Sequence, residues 1–103
     1  MPSREEPGGQ AQERVRPVSK EPTRYRVLLH NDDYTSMEFV VKVLESVFHK
    51  SPAEAHRIMM QVHIQGQGLC GIYPYDVAET RASTAQELAH HEGFPLQTSI
   101  EEE

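Results

Sequence analysis

Hydrophobic positions in this chain change period as the sequence is read, and the changes mark out six elements. Tyr25, Val27 and Leu29 alternate as one face of a strand that begins at Arg24. Asn31-Asp32-Asp33-Tyr34 follows, a cluster of turn formers, and then Thr35-Ser36-Met37-Glu38 with capping-box spacing. That spacing predicts a helix entered through the Thr35 hydroxyl, with Glu38 reaching back. Val40, Val43, Leu44, Val47 and Phe48 then recur at helical intervals and give it one buried stripe. Ser51-Pro52-Ala53-Glu54 signals a second helix start, with proline at the first helical position. Ala55, Ile58, Met59 and Val62 form its apolar face, and Gly66 and Gly68 stop it. Leu69 to Tyr73 reads as a strand. Pro74 opens a third helix reaching about His91, whose Ala78, Ala82, Ala85 and Ala89 invite close packing. Gly93 and Pro95 turn the chain into a last strand bearing Leu96, Thr98 and Ile100. The order β-α-α-β-α-β predicts an α+β fold, a two-layer sandwich with a three-stranded antiparallel sheet packed on three helices.

The segment ahead of this pattern differs in kind. Residues 1–23 carry four prolines and two adjacent glycines but only Val15 and Val18 as sizeable apolar groups. Such a stretch buries too little surface to offset its ordering entropy, so a flexible extension is expected over 1–23 and one domain over 24–103. The whole chain, 103 residues with 37% hydrophobic content, suits a single small core. No run approaches the roughly 18 apolar residues of a membrane span, and no signal-peptide stretch opens the sequence. One cysteine, Cys70, permits no internal disulfide and points to a reducing compartment, the cytoplasm.

Charge narrows the partners. Four bases and four acids balance within residues 1–23, so the net charge of −6 falls on the domain. A domain of that sign repels phosphate backbones and suits a cationic ligand. The acidic turn is no calcium loop, because counting from Asn31 puts Ser36 where glycine is required and Lys42 where the closing glutamate should stand. His49, His56 and His63 recur every seventh residue, a separation of roughly 10 Å on one helix, too wide to share a metal. Cys70 sits in a strand with no helix N-terminus behind it, and no phosphate loop or nucleophile elbow is present. A binding site is better supported. His63 borders the apolar face of the second helix, close to the Asn31-Asp32-Asp33 turn if the elements stack as read. An amide oxygen, an imidazole nitrogen and two carboxylates are all acceptors, and an alkylammonium is a pure donor. Met37, Val40, Met59 and Val62 could line an apolar hole beside them, with methionines that adapt to varied side chains.

At these residues the chain resembles the ClpS family, bacterial adaptors that deliver N-degron proteins to the ClpAP protease. The matching segments are Leu29 to Val40 with its Asn-Asp-Asp-Tyr-Thr signature, Met59-Met60-Gln61-Val62-His63 with Gln65-Gly66, and Cys70-Gly71 through Thr80. The resemblance spans about residues 24–100 and implies an α/β sandwich that binds proteins beginning with Leu, Phe, Tyr or Trp. It implies that Asn31 and His63 hold the α-ammonium, that Asp33 helps through water, and that Asp32 contacts the peptide backbone. It implies a side-chain pocket of Leu29, Thr35, Met37, Val40, Met59, Val62 and Leu96, with Met37 gating against β-branched residues. Asp76 and Arg81 fall where the family presents an acid and a base to the N-terminal domain of the ClpA unfoldase, or of ClpC in some lineages. Residues 1–23 match the family's arm that takes part in handover. Two departures stand out: Ser36 replaces a common proline, which is expected to loosen the turn, and His30 replaces an aliphatic residue.

The expected protein is a monomeric adaptor without cofactor or metal, binding neither nucleic acid nor membrane. Two other classes make different predictions. A docking domain akin to the C-terminal domain of the ribosomal stalk protein would ignore free N-termini. A small hydrolase using His63 and Asp33 would turn over a substrate.

Overall fold

A computed structural model describes residues 22–103. The extension expected over 1–23 lies outside the described residues except for Pro22 and Thr23, which are exposed. The remaining chain forms β1 (Arg24–His30), α1 (Met37–Ser46), α2 (Pro52–Gln65), β2 (Gln67–Pro74), α3 (Tyr75–His91) and β3 (Gln97–Glu102). This is the β-α-α-β-α-β order expected from the sequence. The strands make one antiparallel sheet in the order β2-β1-β3. The helices form the second layer: α3 contacts all three strands, α2 packs on β2 and α1, and α1 lies against α2 and α3.

Strand alternation sends Val27 and Leu29 of β1 into the core, where both are fully buried. Opposite them β2 carries a bulge: Val27 pairs with Gly71 and Leu28 with Leu69, leaving Cys70 as the extra residue. Cys70 is buried in the core as well, and that burial pushes its thiol up to about 12, so no thiolate forms near neutrality. Of the expected α1 stripe, Val40, Val43 and Leu44 are buried on the helix, and Val47 and Phe48 are buried just past its end; the α2 face of Ala55, Ile58, Met59 and Val62 is buried as well. The four alanines of α3 let it lie close on the sheet; each is 5% exposed or less. Phe39, outside the predicted stripe, is also buried, its ring 5.1 Å from that of Phe94 in the α3–β3 connection. At the β3 edge the Gln86 side chain accepts from both the amide and the hydroxyl of Thr98, at 2.8 Å each. That blunts part of an otherwise open strand edge.

One helix start differs from the expectation. The cap of α1 is Ser36, whose hydroxyl accepts from the Phe39 amide at 3.1 Å, rather than Thr35. Thr35 turns its hydroxyl toward Asp32 instead. Ser36 therefore pins the entry to α1, where the loss of the family's proline suggested a looser turn. The α2 start follows expectation, with Ser51 accepting from the Glu54 amide and Pro52 in the first turn.

Candidate functional site

The end of α2 brings the separate pieces together. Gly66 takes the left-handed conformation, φ 92°, at the α2 C-cap, and its carbonyl accepts from the Asn31 amide at 2.9 Å. One hydrogen bond thus ties the end of β1 to the last turn of α2, which carries His63. A side chain at Gly66 would strain this cap, although the space around it is open. Gly66→Ala is expected to lower stability by about 1 kcal/mol, read as a drop in the midpoint of a urea melt.

Asp32 shapes the turn. Its Oδ1 accepts from the amides of Tyr34 and Thr35 at 2.8 and 2.7 Å, and its Oδ2 accepts from the Thr35 hydroxyl at 2.7 Å. Partial burial pushes this carboxyl up, but the three hydrogen bonds outweigh it and hold the group below its ordinary value. A carboxylate offers about four acceptor positions, so one on Oδ2 stays open. Among the described residues, the side chains of Asn31, Asp33 and His63 accept no hydrogen bond from protein; they are exposed at the rim of a slot.

That slot has a volume of about 240 Å³. Asn31, Asp32, Asp33 and His63 stand at its polar end, while Thr35, Met37, Val40, Met59 and Val62 wall the rest. It is below the roughly 300 Å³ where drug-sized sites begin, which suits one bulky side chain. Nine of the residues singled out in the sequence converge here. Leu29 and Leu96 do not line it; they are 0% and 3% exposed and belong to the core. Leu29 is directed inward by strand alternation, and Leu96 sits just ahead of β3.

Asp76 and Arg81 lie elsewhere. With Ser46, Val47, Thr80 and Leu88 they line a larger groove of about 500 Å³ between the end of α1 and α3. Arg81 is anchored there: its Nη1 donates to the Val47 carbonyl at 2.6 Å and its guanidinium stands 5.3 Å from the centre of the Tyr73 ring. Burial pushes the Tyr73 hydroxyl up, while the Arg81 charge acts in the opposite direction. The groove is roomier than the slot, and one carboxylate, that of Asp76, stands in its lining where the slot has two. His30 and Arg81 show what residue type alone left unread. The His30 Nε2 is 2.6 Å from the Ser99 hydroxyl, a contact across to β3, and His30 is absent from the slot lining.

A slot that sets acceptors beside methionine and valine walls has the make-up of a binding domain rather than of a reaction centre. The hydroxyl in its lining, on Thr35, is committed to Asp32, and the thiol of Cys70 is in the core. Comparison with known proteins makes the class particular. The family model of the ATP-dependent Clp protease adaptor protein ClpS matches residues 20–99. A ClpS adapter of Maricaulis maris is 52% identical over 90 residues, which cover 87% of this chain and 83% of that protein. A ClpS adapter of Oleidesulfovibrio alaskensis is 57% identical over 83 residues, covering 81% of this chain and 80% of the other. The solved structure of Agrobacterium tumefaciens ClpS2 bound to L-phenylalaninamide superposes with a TM-score of 0.78 at 42% identity, covering 81% of this chain and 100% of that one. The chain belongs to the ClpS family: it is an adaptor of the Clp protease and not an enzyme. No helix among the described residues is long and apolar enough to cross a membrane.

Proposed function

We propose that this adaptor captures proteins by a free N-terminus beginning with Leu, Phe, Tyr or Trp and delivers them to a ClpA-type unfoldase. The observation that carries the reading is the meeting of Asn31, Asp33 and His63 with Met37, Val40, Met59 and Val62 around one slot of about 240 Å³. The α-ammonium donates to the Asn31 side-chain oxygen and to a His63 ring nitrogen, and Asp33 adds charge through water. The open position on Asp32 Oδ2 takes the amide that follows the first residue. The first side chain enters among Met37, Val40, Met59 and Val62, with Met37 as the gate and Thr35 at the wall. Leu29 and Leu96 support these walls from within the core. The phenylalaninamide bound by the A. tumefaciens relative has the same two parts, a bulky side chain and a free amine.

Two or three charge-assisted hydrogen bonds contribute about 1.5–3 kcal/mol each, and burying the side chain adds roughly 1.5–3 kcal/mol. Association costs at least about 4 kcal/mol, which leaves at most about 8 kcal/mol, so affinity is micromolar at its tightest and suited to a client that must be released. The groove of Asp76 and Arg81 is the proposed contact with the N-terminal domain of ClpA, or of ClpC. The Arg81 guanidinium is fixed in place by the Val47 carbonyl, with its Nε buried. The protein acts as a cytoplasmic monomer. The test is fluorescence anisotropy with Leu-, Phe- and Ala-initiated peptides. Leu and Phe peptides are expected to saturate, and the Ala peptide to bind at least tenfold more weakly, in line with the loss of about 1–3 kcal/mol of pocket contacts. Equal binding of all three would identify a docking domain that ignores the first residue.

A further inference from the structure

The slot has a neighbour. A second hollow of about 300 Å³, mostly apolar, is lined by Met37, Glu38, Val41, His56 and Met59, so Met37 and Met59 are walls of both. The two hollows adjoin across Met37 and Met59. On α1, Val41 of the hollow follows Val40 of the slot, so the two stand at nearly the same height and differ by their direction around the helix. On α2, His56 lies almost one turn before Met59, while Val62 and His63 of the slot lie one turn after it. Moving away from His63 along α2 therefore leads from the amine acceptors, over the two methionines, into the second hollow.

An extended peptide advances about 3.3 Å per residue and puts alternate side chains on one side. With its first side chain in the slot, its second faces away, and its third returns to the same side roughly 6.6 Å on. That step is close to the one-turn advance, about 5.4 Å, from the slot to the hollow along α2. We propose that the second hollow receives the third residue of the client and selects a medium-sized apolar side chain, leucine or methionine, over an acidic one. The inference rests on the N-terminus reading above. Met37, Val41 and Met59 supply the apolar walls; Met37 is 42% exposed and Val41 half-buried, so both have surface left to cover. Glu38 at the rim repels an acidic third residue. Met37 thereby serves two positions of the client.

The test is anisotropy on the full chain with peptides starting Leu-Ala-Ala, Leu-Ala-Leu, Leu-Leu-Ala, Leu-Ala-Glu, Leu-Ala-Lys and Ala-Ala-Ala. Leucine at the third position is expected to tighten binding roughly three- to tenfold over Leu-Ala-Ala, with little gain from leucine at the second. Glutamate at the third position weakens it. Val41→Gln lowers the ratio of Leu-Ala-Leu to Leu-Ala-Ala binding toward unity. Glu38→Lys, at an exposed position, reverses the order of the Leu-Ala-Glu and Leu-Ala-Lys peptides. Equal affinity for Leu-Ala-Ala and Leu-Ala-Leu, with Ala-Ala-Ala still excluded, overturns the third-residue hollow and leaves the slot reading in place. An equal gain from leucine at the second position overturns it too. Loss of discrimination against Ala-Ala-Ala overturns both.

Discussion

Acetylating the α-amine of a Leu-initiated peptide is expected to weaken its binding at least a hundredfold. The modification removes the positive charge and the donors that Asn31 and His63 would accept, and it leaves the leucine side chain untouched. Two charge-assisted hydrogen bonds at the low end of about 1.5 kcal/mol each give 3 kcal/mol, and each 1.4 kcal/mol is tenfold. The bound peptide also covers acceptors that faced water before, so an acetyl group leaves them unpaired beneath it. His63→Ala removes one of the two acceptors and is expected to cost roughly ten- to a hundredfold with the free amine. With the acetylated peptide the same substitution changes little. Anisotropy on the four combinations measures the coupling between amine and imidazole. If acetylated and free peptides bound alike, side-chain burial alone would drive association. Alkali should weaken binding as the peptide amine deprotonates near pH 8 and loses its charge.

The layers of this fold were legible because each element declares its period and its ends. Val40 to Phe48 and Ala55 to Val62 write out their buried faces, and Ser51-Pro52 and Gly66 mark where α2 starts and stops. What escaped depends on contacts between residues far apart in sequence. Phe39 falls outside the α1 stripe, and it is buried because Phe94, 55 residues later, lies against it. Thr35 and Ser36 are both good caps; only the demand of Asp32 for a hydroxyl donor decides which of them serves α1. Family likeness grouped Leu29 and Leu96 with the pocket, but side-chain direction places them behind it, in the core. Arg81 reads as a surface base, yet the free carbonyl at the end of α1 claims it. His49 is a quieter case. It adopts φ 56° between α1 and α2, a position the sequence gives no sign of because glycine is the usual occupant.

The slot's polar end depends on a turn that Asp32 organises, and this gives a prediction with two readouts. Asp32→Ala removes one side chain that accepts three hydrogen bonds from Tyr34 and Thr35. Because the carboxylate is only partly buried, solvent discounts each bond, and a net loss of about 1–2 kcal/mol of stability is expected near neutral pH. Binding of a Leu-initiated peptide should fall roughly tenfold or more, since Asn31 and Asp33 flank Asp32 and lose their fixed orientation. Asp32→Asn keeps an acceptor for the two amides and should be milder on both counts. Acid separates the charge from the shape. The folded state holds the Asp32 carboxyl below its ordinary value of 3.8, so its contribution is fully present above that value. It is lost as pH falls through the depressed folded value, where the carboxyl takes up a proton without unfolding. Urea melts at stepped pH should therefore show the gap between the native chain and Asp32→Ala constant near neutrality and shrinking below about 3.8. A gap that persisted unchanged at the acid end would mean that the turn is held by side-chain shape and not by the ionised carboxylate. In that case Asp32→Asn would match the native chain in stability, and the order of the binding site would owe nothing to the charge at its centre.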